Sequence, residues 1–299
     1  MADRRGAPGP DGLAVLDKAA GWTSHDVVAK ARGLLGTRKI GHSGTLDPDA
    51  TGVLLLGVGK VTRLLRYLGL GSKRYTGVVV VGTATSTLDA SGEVTATWDM
   101  GAIDVNEVRA AAAEFVGDIL QVPPMVSAVQ VGGRRLHELA REGIEVEREP
   151  RPVTVHSLSV GEAVEPGCFP IEVECSSGTY IRSLAADIGA ALGGGAHLRD
   201  LRRTAIGSFT VAEAVTLEVL TLDHLMTPAA AMRDLPTVRV DDSVAADVAH
   251  GKVLPADVLG VGGVGPWSVL GEDGALLAVY EPHRQGTVKP GVVLAAAGS

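Results

Sequence analysis

The sequence predicts a mixed α/β fold of the α+β type, with a central mixed or antiparallel sheet and a small β-barrel-like module at the carboxyl end. Strand-like and helix-like segments follow one another without the regular βαβ order of a doubly wound sheet. No G-x-G-x-x-G motif opens a helix after a strand, which argues against a dinucleotide-binding fold. Near the carboxyl end, two short apolar runs flank a Gly-Glu-Asp-Gly turn, the pattern of a hairpin.

The individual elements are predicted from periodicity and capping residues. Thr23 or Ser24 is placed to cap a helix that ends near residue 35, and residues 60–68 and 105–115 have helical spacing of apolar side chains. Runs rich in β-branched residues predict strands. We expect strands at residues 12–17, 75–85, 168–175 and 203–209, and a further helix at residues 180–192.

The chain is long enough to form two domains. The pattern breaks at residues 226–236, where TPAAAMRDLP interrupts the alternation of apolar and polar residues. We therefore predict a first domain at residues 1–232 and a second, smaller one at residues 233–299.

Net charge is −8, but the charges are unevenly distributed. The first 100 residues carry 12 basic and 9 acidic side chains, and no acid occurs between residues 51 and 88. That interval contains five basic residues: Lys60, Arg63, Arg66, Lys73 and Arg74. A phosphate backbone interacts with a local patch, not with the total charge, so a nucleic-acid partner stays possible. The alternative is that these are ordinary solvated ends of helices and strands.

Cysteine content and hydropathy indicate a cytoplasmic protein. The two cysteines, Cys168 and Cys175, have no His or Cys cluster around them, so they predict neither a disulfide framework nor a zinc site and are expected to be buried near a strand. The first twelve residues lack the apolar segment of a secretory signal. No apolar run is long enough to span a membrane.

The segment GHSGTLDPDATG, residues 41–52, is the strongest candidate site. It sets Asp47 in a glycine-rich turn, where Pro48 restricts the backbone and Gly44 and Gly52 permit sharp bends or a close approach. A carboxylate on a stiff turn is a candidate nucleophile or general base. The alternative is that Asp47 only caps a turn. Glycoside hydrolysis would need a second carboxylate across the substrate, and Asp49 is too near in sequence to supply it.

Residues 41–63 resemble the signature of the TruB-type tRNA pseudouridine synthases, whose GTLDPxAxG pattern contains the catalytic aspartate. The resemblance implies that Asp47 is this aspartate and that His42 contacts the flipped RNA loop. The sequence KRY places Tyr75 where the family has a tyrosine that contacts the target base. The sequence SSGTYIR matches a further motif and implies that Arg182 pairs with Asp47 and keeps it ionised.

Three further segments resemble the family. VLDKAAGWTS matches an LDKP-G-xTS pattern, with Ala19 in place of proline; Lys18 either contacts RNA phosphate or forms an ion pair with Asp17 that holds the turn. Residues 123–151 resemble a thumb-like insertion that closes on tRNA, with Gln130 and His137 as departures from the family pattern. The final module resembles a PUA domain. The basic residues expected to contact RNA are Lys18, Lys60, Arg63, Lys73, Arg134, Arg141, Arg199 and Arg202.

The resemblance implies a tRNA pseudouridine synthase that isomerises uridine 55 of the T-loop. The partner is then the T-arm of tRNA, and we expect a monomer. The reaction changes no oxidation state and releases no group, so it demands neither cofactor nor metal. Two alternatives stay open, namely an RNA-guided or ribosomal-RNA pseudouridine synthase and a non-catalytic RNA-binding or folding protein.

Overall fold

The computed structural model describes residues 9–127 and 129–294, and the side chain of His137 is outside the description. The part of the amino-terminal segment before residue 9, where the sequence predicts no secretory signal, therefore lies outside the described residues. Two sheets dominate the rest of the chain, and helices pack against them.

The strands are numbered in chain order. They are β1 Gly12–Lys18, β2 Ile40–Ser43, β3 Thr51–Val58, β4 Lys73–Val81, β5 Thr83–Thr85, β6 Val94–Thr97, β7 Gly117–Gln121, β8 Gln130–Val131, β9 Arg134–Arg135, β10 Arg151–Val160, β11 Cys168–Cys175, β12 Ala196–Ile206, β13 Phe209–Thr210, β14 Thr237–Arg239, β15 Leu254–Pro255, β16 Trp267–Leu270, β17 Leu276–Pro282 and β18 Thr287–Val293. The α-helices are α1 Ser24–Leu34, α2 Leu65–Leu68, α3 Val105–Ala113, α4 Leu136–Arg141, α5 Ile181–Ala191, α6 Pro228–Ala231, α7 Asp242–Ala249 and α8 Ala256–Leu259.

The larger sheet has the strand order β1-β3-β12-β4-β11-β10-β7, with β2 beside β3 and β13 beside β12. Its main-path strands pair antiparallel except for β3 and β12, which run parallel with Arg202 beside Thr51 and Arg203 beside Gly52. The predicted mixed central sheet is thus confirmed. The parallel pair brings the end of β12 against the turn that carries Asp47.

Most predicted elements of this part are present. Thr23 caps α1 in a capping box with Asp26, and Cys168 and Cys175 are both buried on β11, as predicted. The helix predicted at residues 60–68 is wrong over its first part, where a 3₁₀ turn at Gly59–Leu64 precedes the short α2. Gly59 has a φ of +61°, and the i, i+3 spacing of a 3₁₀ turn still buries Val61 and Leu64 completely.

The second sheet lies at the carboxyl end and has the order β14-β16-β17-β18-β15. The predicted hairpin is confirmed: β16 and β17 pair antiparallel, and Gly274 donates its backbone N–H to Gly271 O in the turn. The small strand module predicted for this region is therefore present. Its first strand begins at Thr237, five residues beyond the predicted domain boundary.

The two sheets share one apolar cluster. Val61, Leu64 and Tyr67 from the amino-terminal part pack in it with Leu270 and Val279 of the second sheet. The Arg66 guanidinium and the Tyr67 hydroxyl both hydrogen-bond to the Glu281 carboxylate beside this cluster. The segment after β3 thus holds the second sheet against the first.

Of the helices in the described part of the chain, none is both long and apolar enough to cross a membrane.

Candidate active site

Asp47 lies on the turn between β2 and β3, where two glycines have left-handed backbone conformations. Gly44 has a φ of +74° and Gly52 a φ of +101°. A Cβ at position 52 would lie 2.1 Å from the backbone oxygen of Arg203, so only glycine lets β3 meet β12 here. The glycines in the motif are explained by this close approach, which sets where the Asp47 turn leaves the sheet.

Buried polar side chains hold the Asp47 turn from three directions. The Lys18 ammonium donates to Pro48 O at 2.9 Å and to two carbonyls of its own loop. The Ser24 hydroxyl accepts a hydrogen bond from the Leu46 N–H at 3.0 Å. The Arg203 guanidinium, 1% exposed, donates to Gly44 O at 2.9 Å and to Val53 O at 2.8 Å. These contacts fix the turn. Two of the three side chains, those of Lys18 and Ser24, stand in the VLDKAAGWTS motif.

The position of Lys18 corrects two expectations. Asp17 does not pair with Lys18, because its carboxylate is held by the Arg202 guanidinium at 2.7 and 2.9 Å. Lys18 is 2% exposed and donates all three ammonium hydrogens to carbonyls, so none is left for RNA phosphate. Its motif thus serves to hold the Asp47 turn, and burial lowers the pKa of Lys18 to about 8.

Asp47 and Arg182 form a two-point ion pair. The Arg182 Nε lies 3.0 Å from Asp47 Oδ2, and Nη2 donates to Oδ1 at 3.1 Å. Two further hydrogens of Arg182 go to Thr87 O at 2.9 Å and Val126 O at 2.8 Å. The guanidinium is buried while the Asp47 side chain is still 38% exposed. A fixed cation thus orients a carboxylate that stays accessible from the cavities beside it.

The start of α5 places Arg182 in the first turn of the helix. The Gln121 side chain, 2% exposed, accepts from the Tyr180 N–H at 2.7 Å and donates to Tyr180 O at 3.0 Å. The Ser183 hydroxyl donates to Val122 O at 3.0 Å. The end of β7 therefore fixes the beginning of α5, a function of Gln121 that the sequence does not indicate because no motif surrounds it.

Burial and the ion pair act on the Asp47 carboxyl in opposite directions. Burial raises the pKa of Asp47 above its ordinary value, and the Arg182 guanidinium is the largest influence that lowers it. Arg182 thus lowers the pKa of Asp47, in the expected direction, but the desolvation is the larger influence and the net shift is upward. Asp89 contributes further to the rise.

Asp89 is a second carboxylate at the same guanidinium. Its Oδ2 lies 3.6 Å from Arg182 Nε, and its Oδ1 accepts from the Ser91 N–H at 3.1 Å and from the Thr87 and Ser91 hydroxyls. The sequence does not indicate Asp89, because this residue stands 42 residues after Asp47 without a flanking motif. Asp47 and Asp89 both contact the Arg182 guanidinium, whereas the two acids of a glycosidase lie on opposite sides of the substrate.

Two cavities meet at Asp47 and Arg182. One, of about 300 Å³, is lined by Lys73, Tyr75, Ser177 and Arg203 among others, and the other, of about 360 Å³, by Thr87, Asp89, Arg199 and Asp200 among others. Tyr75 is 8% exposed, and burial raises the pKa of its phenol. The hydroxyl is thus protonated at neutral pH and is a hydrogen-bond donor there, not a base.

His42 lies on β2 next to this turn. Its ring meets that of His25 edge-on, with centroids 5.3 Å apart, and its buried Nδ1 has no hydrogen-bond partner among the described residues. Burial lowers the pKa of His42, and His25 and Arg203 lower it further. The neutral imidazole is suited to stacking against a base.

The other predicted RNA contacts are spread over several surfaces. Lys60 and Arg63 donate to Leu294 O and Val293 O and so belong to the contact with the second sheet. Arg199 is paired with Glu165 and Asp200, and Arg202 with Asp17. On the insertion, Arg134 is paired with Glu142 and Arg141 is exposed. Of these basic residues, Lys73 and Arg199 each line one of the two cavities that contain Asp47, whereas Lys60 and Arg63 lie away from them.

No group of three or more His, Cys, Asp or Glu side chains in the described part of the chain is arranged to hold a metal ion.

Family models match most of the chain. The model described as TruB family pseudouridylate synthase (N terminal domain) matches residues 32–181. The model described as tRNA pseudouridylate synthase B C-terminal domain matches residues 182–235. The two matches meet between Ile181 and Arg182.

Among curated relatives, proteins named tRNA pseudouridine synthase B are similar over almost the whole chain. The one from Thermobifida fusca is 46% identical over 95% of this chain and 99% of its own. Those from Rhodococcus jostii and Streptomyces coelicolor are 49% identical over 85% of both chains and 46% identical over 92% of this chain and 94% of theirs.

Solved structures similar to this chain include protein components of RNA-protein assemblies. A chain from a Cbf5-Nop10-Gar1 complex matches with a TM-score of 0.75 and 27% identity, over 96% of this chain and 85% of its own. A chain from an H/ACA RNP bound to a substrate RNA containing 2'-deoxyuridine matches with a TM-score of 0.72 and 26% identity, over 96% and 86%. The fold is thus shared with these proteins over almost the whole chain, and the carboxyl-terminal sheet fits a PUA-like domain.

Proposed function

Because the chain belongs to the TruB family of pseudouridylate synthases, we propose that it isomerises uridine 55 in the T-loop of tRNA to pseudouridine. The observation that carries this is the Asp47 carboxylate, held by Arg182 at two points and open to a cavity whose wall contains Tyr75. The reaction breaks the bond between N1 of the base and C1′ of the ribose and joins C5 to C1′. Asp47 initiates this cleavage in its ionised form.

The proposed roles follow from the contacts of each side chain. Arg182 keeps the carboxylate oriented, with its own position fixed by Thr87 O and Val126 O. Tyr75 supports the base inside the 300 Å³ cavity. His42, half-buried beside the Asp47 turn, stacks against a nucleotide of the opened loop.

The base has to leave the RNA helix to reach Asp47. Extruding a nucleotide costs a few kcal/mol, and stacking on an aromatic side chain recovers about 1–3 kcal/mol per base. Contacts to phosphate supply the rest. We assign these contacts to Arg134 and Arg141 on the insertion and to Arg199 and Arg202 on β12. Each paired arginine would exchange its carboxylate partner for phosphate.

The partner proposed is the T-arm of tRNA, bound by a monomer in the cytoplasm without a guide RNA. The 43–49% identity to proteins named tRNA pseudouridine synthase B supports this over an RNA-guided function. Solved relatives from RNA-protein complexes are 25–27% identical. The isomerisation releases no group and transfers no electrons to another molecule, so its chemistry needs no cofactor or metal.

The test is turnover of an unmodified T-arm RNA by the purified protein alone. We expect stoichiometric pseudouridine at position 55 and none in a control RNA that carries cytidine at that position, measured by mass spectrometry after chemical labelling. Tight binding of the T-arm without turnover would support a non-catalytic RNA-binding protein. Turnover that required an added guide RNA would support the RNA-guided alternative.

A further inference from the structure

Lys73 is a buried ammonium in the cavity that contains Asp47 and Tyr75. It stands two residues before Tyr75 on β4, so both side chains lie on the same face of the sheet. The residue is 7% exposed. Within the described residues its ammonium makes one hydrogen bond, to the Ser177 hydroxyl at 3.0 Å. Two of its three hydrogens thus have no acceptor among the residues that the structure describes.

The surroundings of this ammonium are cationic. A Cβ built on Gly44 would lie 3.6 Å from Lys73 Nζ and 3.4 Å from Arg203 Nη1, so both cations border the same point. No carboxylate among the described residues forms an ion pair with Lys73. Arg203 donates to carbonyls of the Asp47 turn and of β3, whereas the described residues give the Lys73 ammonium a single hydrogen-bond partner, Ser177.

Lys18 provides a comparison within the same chain. It is also buried, but three carbonyls accept all of its hydrogens. A buried ammonium without such acceptors costs free energy in the empty protein. That cost is understandable where a ligand supplies the acceptor, and the group that enters this cavity in the proposed function is a uracil ring.

We propose that the Lys73 ammonium donates a hydrogen bond to a carbonyl oxygen of the target uracil and stabilises the ring as an anion when the N1–C1′ bond breaks. This proposal rests on the proposed function. The electron pair of the broken bond stays on the ring and is delocalised onto its carbonyl oxygens. C5 then bonds to C1′, C5 loses its proton and N1 gains one, so substrate and product are isomers.

The electrostatics of the cavity support this role. Burial lowers the pKa of Lys73 to about 8, and Arg203 lowers it further while Cys175 opposes the change. Tyr75, Asp47 and Arg182 face the same cavity. At neutral pH Lys73 is therefore protonated, and the lowered pKa makes it a stronger hydrogen-bond donor than an exposed lysine.

The first test compares Lys73→Met with Lys73→Arg and with a control, Lys30→Met, which removes an exposed lysine from α1. We expect Lys73→Met to lower the single-turnover rate on T-arm RNA about 100-fold or more, the loss typical of removing a donor to a developing anion. Its affinity for the RNA should change less than about threefold, because phosphate contacts dominate binding. Lys73→Arg should recover part of the rate, and Lys30→Met should equal wild type. A Lys73→Met rate within about threefold of wild type would overturn the proposal.

The second test uses RNA with 2-thiouridine or 4-thiouridine at position 55, since sulfur accepts hydrogen bonds poorly. One of the two should slow the wild type strongly and slow Lys73→Met hardly at all, a non-additivity that reports direct contact. Equal slowing of both proteins by both RNAs would contradict the contact. Ser177→Ala tests whether Lys73 acts only by holding the Ser177 hydroxyl. In that case Ser177→Ala and Lys73→Met would lower the single-turnover rate by the same factor, which would contradict the proposal.

The pH profile gives an independent readout. The ammonium is the active form, so kcat/KM of the wild type should fall as pH rises above about 8, and this fall should be absent in Lys73→Met. A fall that persists in Lys73→Met would assign it to Lys18, which titrates in the same range, and would count against Lys73. Wild-type turnover is the control for the proposed function: its absence refutes that function, whereas an active wild type with an active Lys73→Met refutes only the role of Lys73.

Discussion

At the scale of single residues, the site depends on one carboxylate under two opposing influences. Burial favours the protonated acid, and the guanidinium of Arg182 favours the carboxylate. The balance leaves the pKa of Asp47 above its ordinary value, whereas the role proposed for Asp47 requires the ionised form. The Arg182 guanidinium limits this rise of the pKa.

This balance predicts a pH dependence on the acid side. The wild-type kcat/KM should fall as pH is lowered through the raised pKa of Asp47. Arg182→Gln removes the cation, so the pKa of Asp47 should rise further and the acid limb should move to higher pH. The measurement is kcat/KM against pH between 4 and 8 for both proteins, with Arg182→Lys as the charge-retaining control. Coincident acid limbs would show that Arg182 does not set the ionisation of Asp47.

The sequence indicates single residues only where a motif surrounds them. Asp47 and Arg182 stand in glycine-containing motifs, and the structure does bring them to within 3.0 Å. Asp89 and Gln121 could not be found in this way, because each acts through one long-range contact and its neighbours in sequence carry no pattern. Lys18 stands in a motif, but the motif does not reveal that its ammonium points inward.

At the scale of elements, the site is assembled where the β2–β3 turn, β12 and the start of α5 meet. The register of two strands brings these elements together. β12 runs parallel to β3 with Arg203 beside Gly52, so the Arg203 side chain can donate to Gly44 O in the Asp47 turn. Apolar periodicity predicted most of these strands and helices. It did not predict that β12 begins at Ala196, ahead of the strand expected at residues 203–209, because the segment HLRDLRR at residues 197–203 lacks the strict alternation of apolar and polar residues.

The close approach at Gly52 predicts a large loss of stability. Gly52→Ala places a methyl group 2.1 Å from the Arg203 backbone oxygen at a φ of +101°, so β3 and β12 must separate. Strain and overpacking together should lower the free energy of unfolding by about 2–5 kcal/mol. Urea-induced unfolding of the variant and the wild type measures this loss, provided that the m value is the same for both proteins.

A matched control separates the cost of the left-handed backbone from the cost of the contact with Arg203. Gly36 has a φ of +63° and open space around its Cα, so Gly36→Ala should cost about 1–2 kcal/mol from the left-handed conformation alone. Equal losses in the two variants would mean that the contact with Arg203 is relieved without cost.

At the scale of the whole molecule, the basic residues that were expected to form one patch lie at two separate places. Lys60 and Arg63 join the second sheet to the first, while Lys73 lies in the cavity. The sequence counts these charges as one patch because it does not show that residues about 230 positions later pack against them. Charge distribution therefore indicated the partner class without identifying which side chains are free to meet it.

The second sheet was easier to predict from the sequence than its contacts with the first sheet. The hairpin turn and the apolar runs around it predicted the second sheet by local signals alone, and the structure confirms that hairpin. Long-range contacts between the sheets, such as Glu281 with Arg66 and Tyr67, carry no local signal.

The most direct measurement is single-turnover formation of pseudouridine by Asp47→Asn beside wild type on the same T-arm RNA. Asparagine keeps the shape of the side chain and one oxygen for Arg182, so the fold and RNA affinity should be kept within a few fold. The charge that starts the reaction is lost, and we expect the rate to fall at least about a thousandfold. A variant that binds the RNA equally well and retains more than about a tenth of the wild-type rate would contradict the assignment of Asp47 as the residue that initiates the reaction.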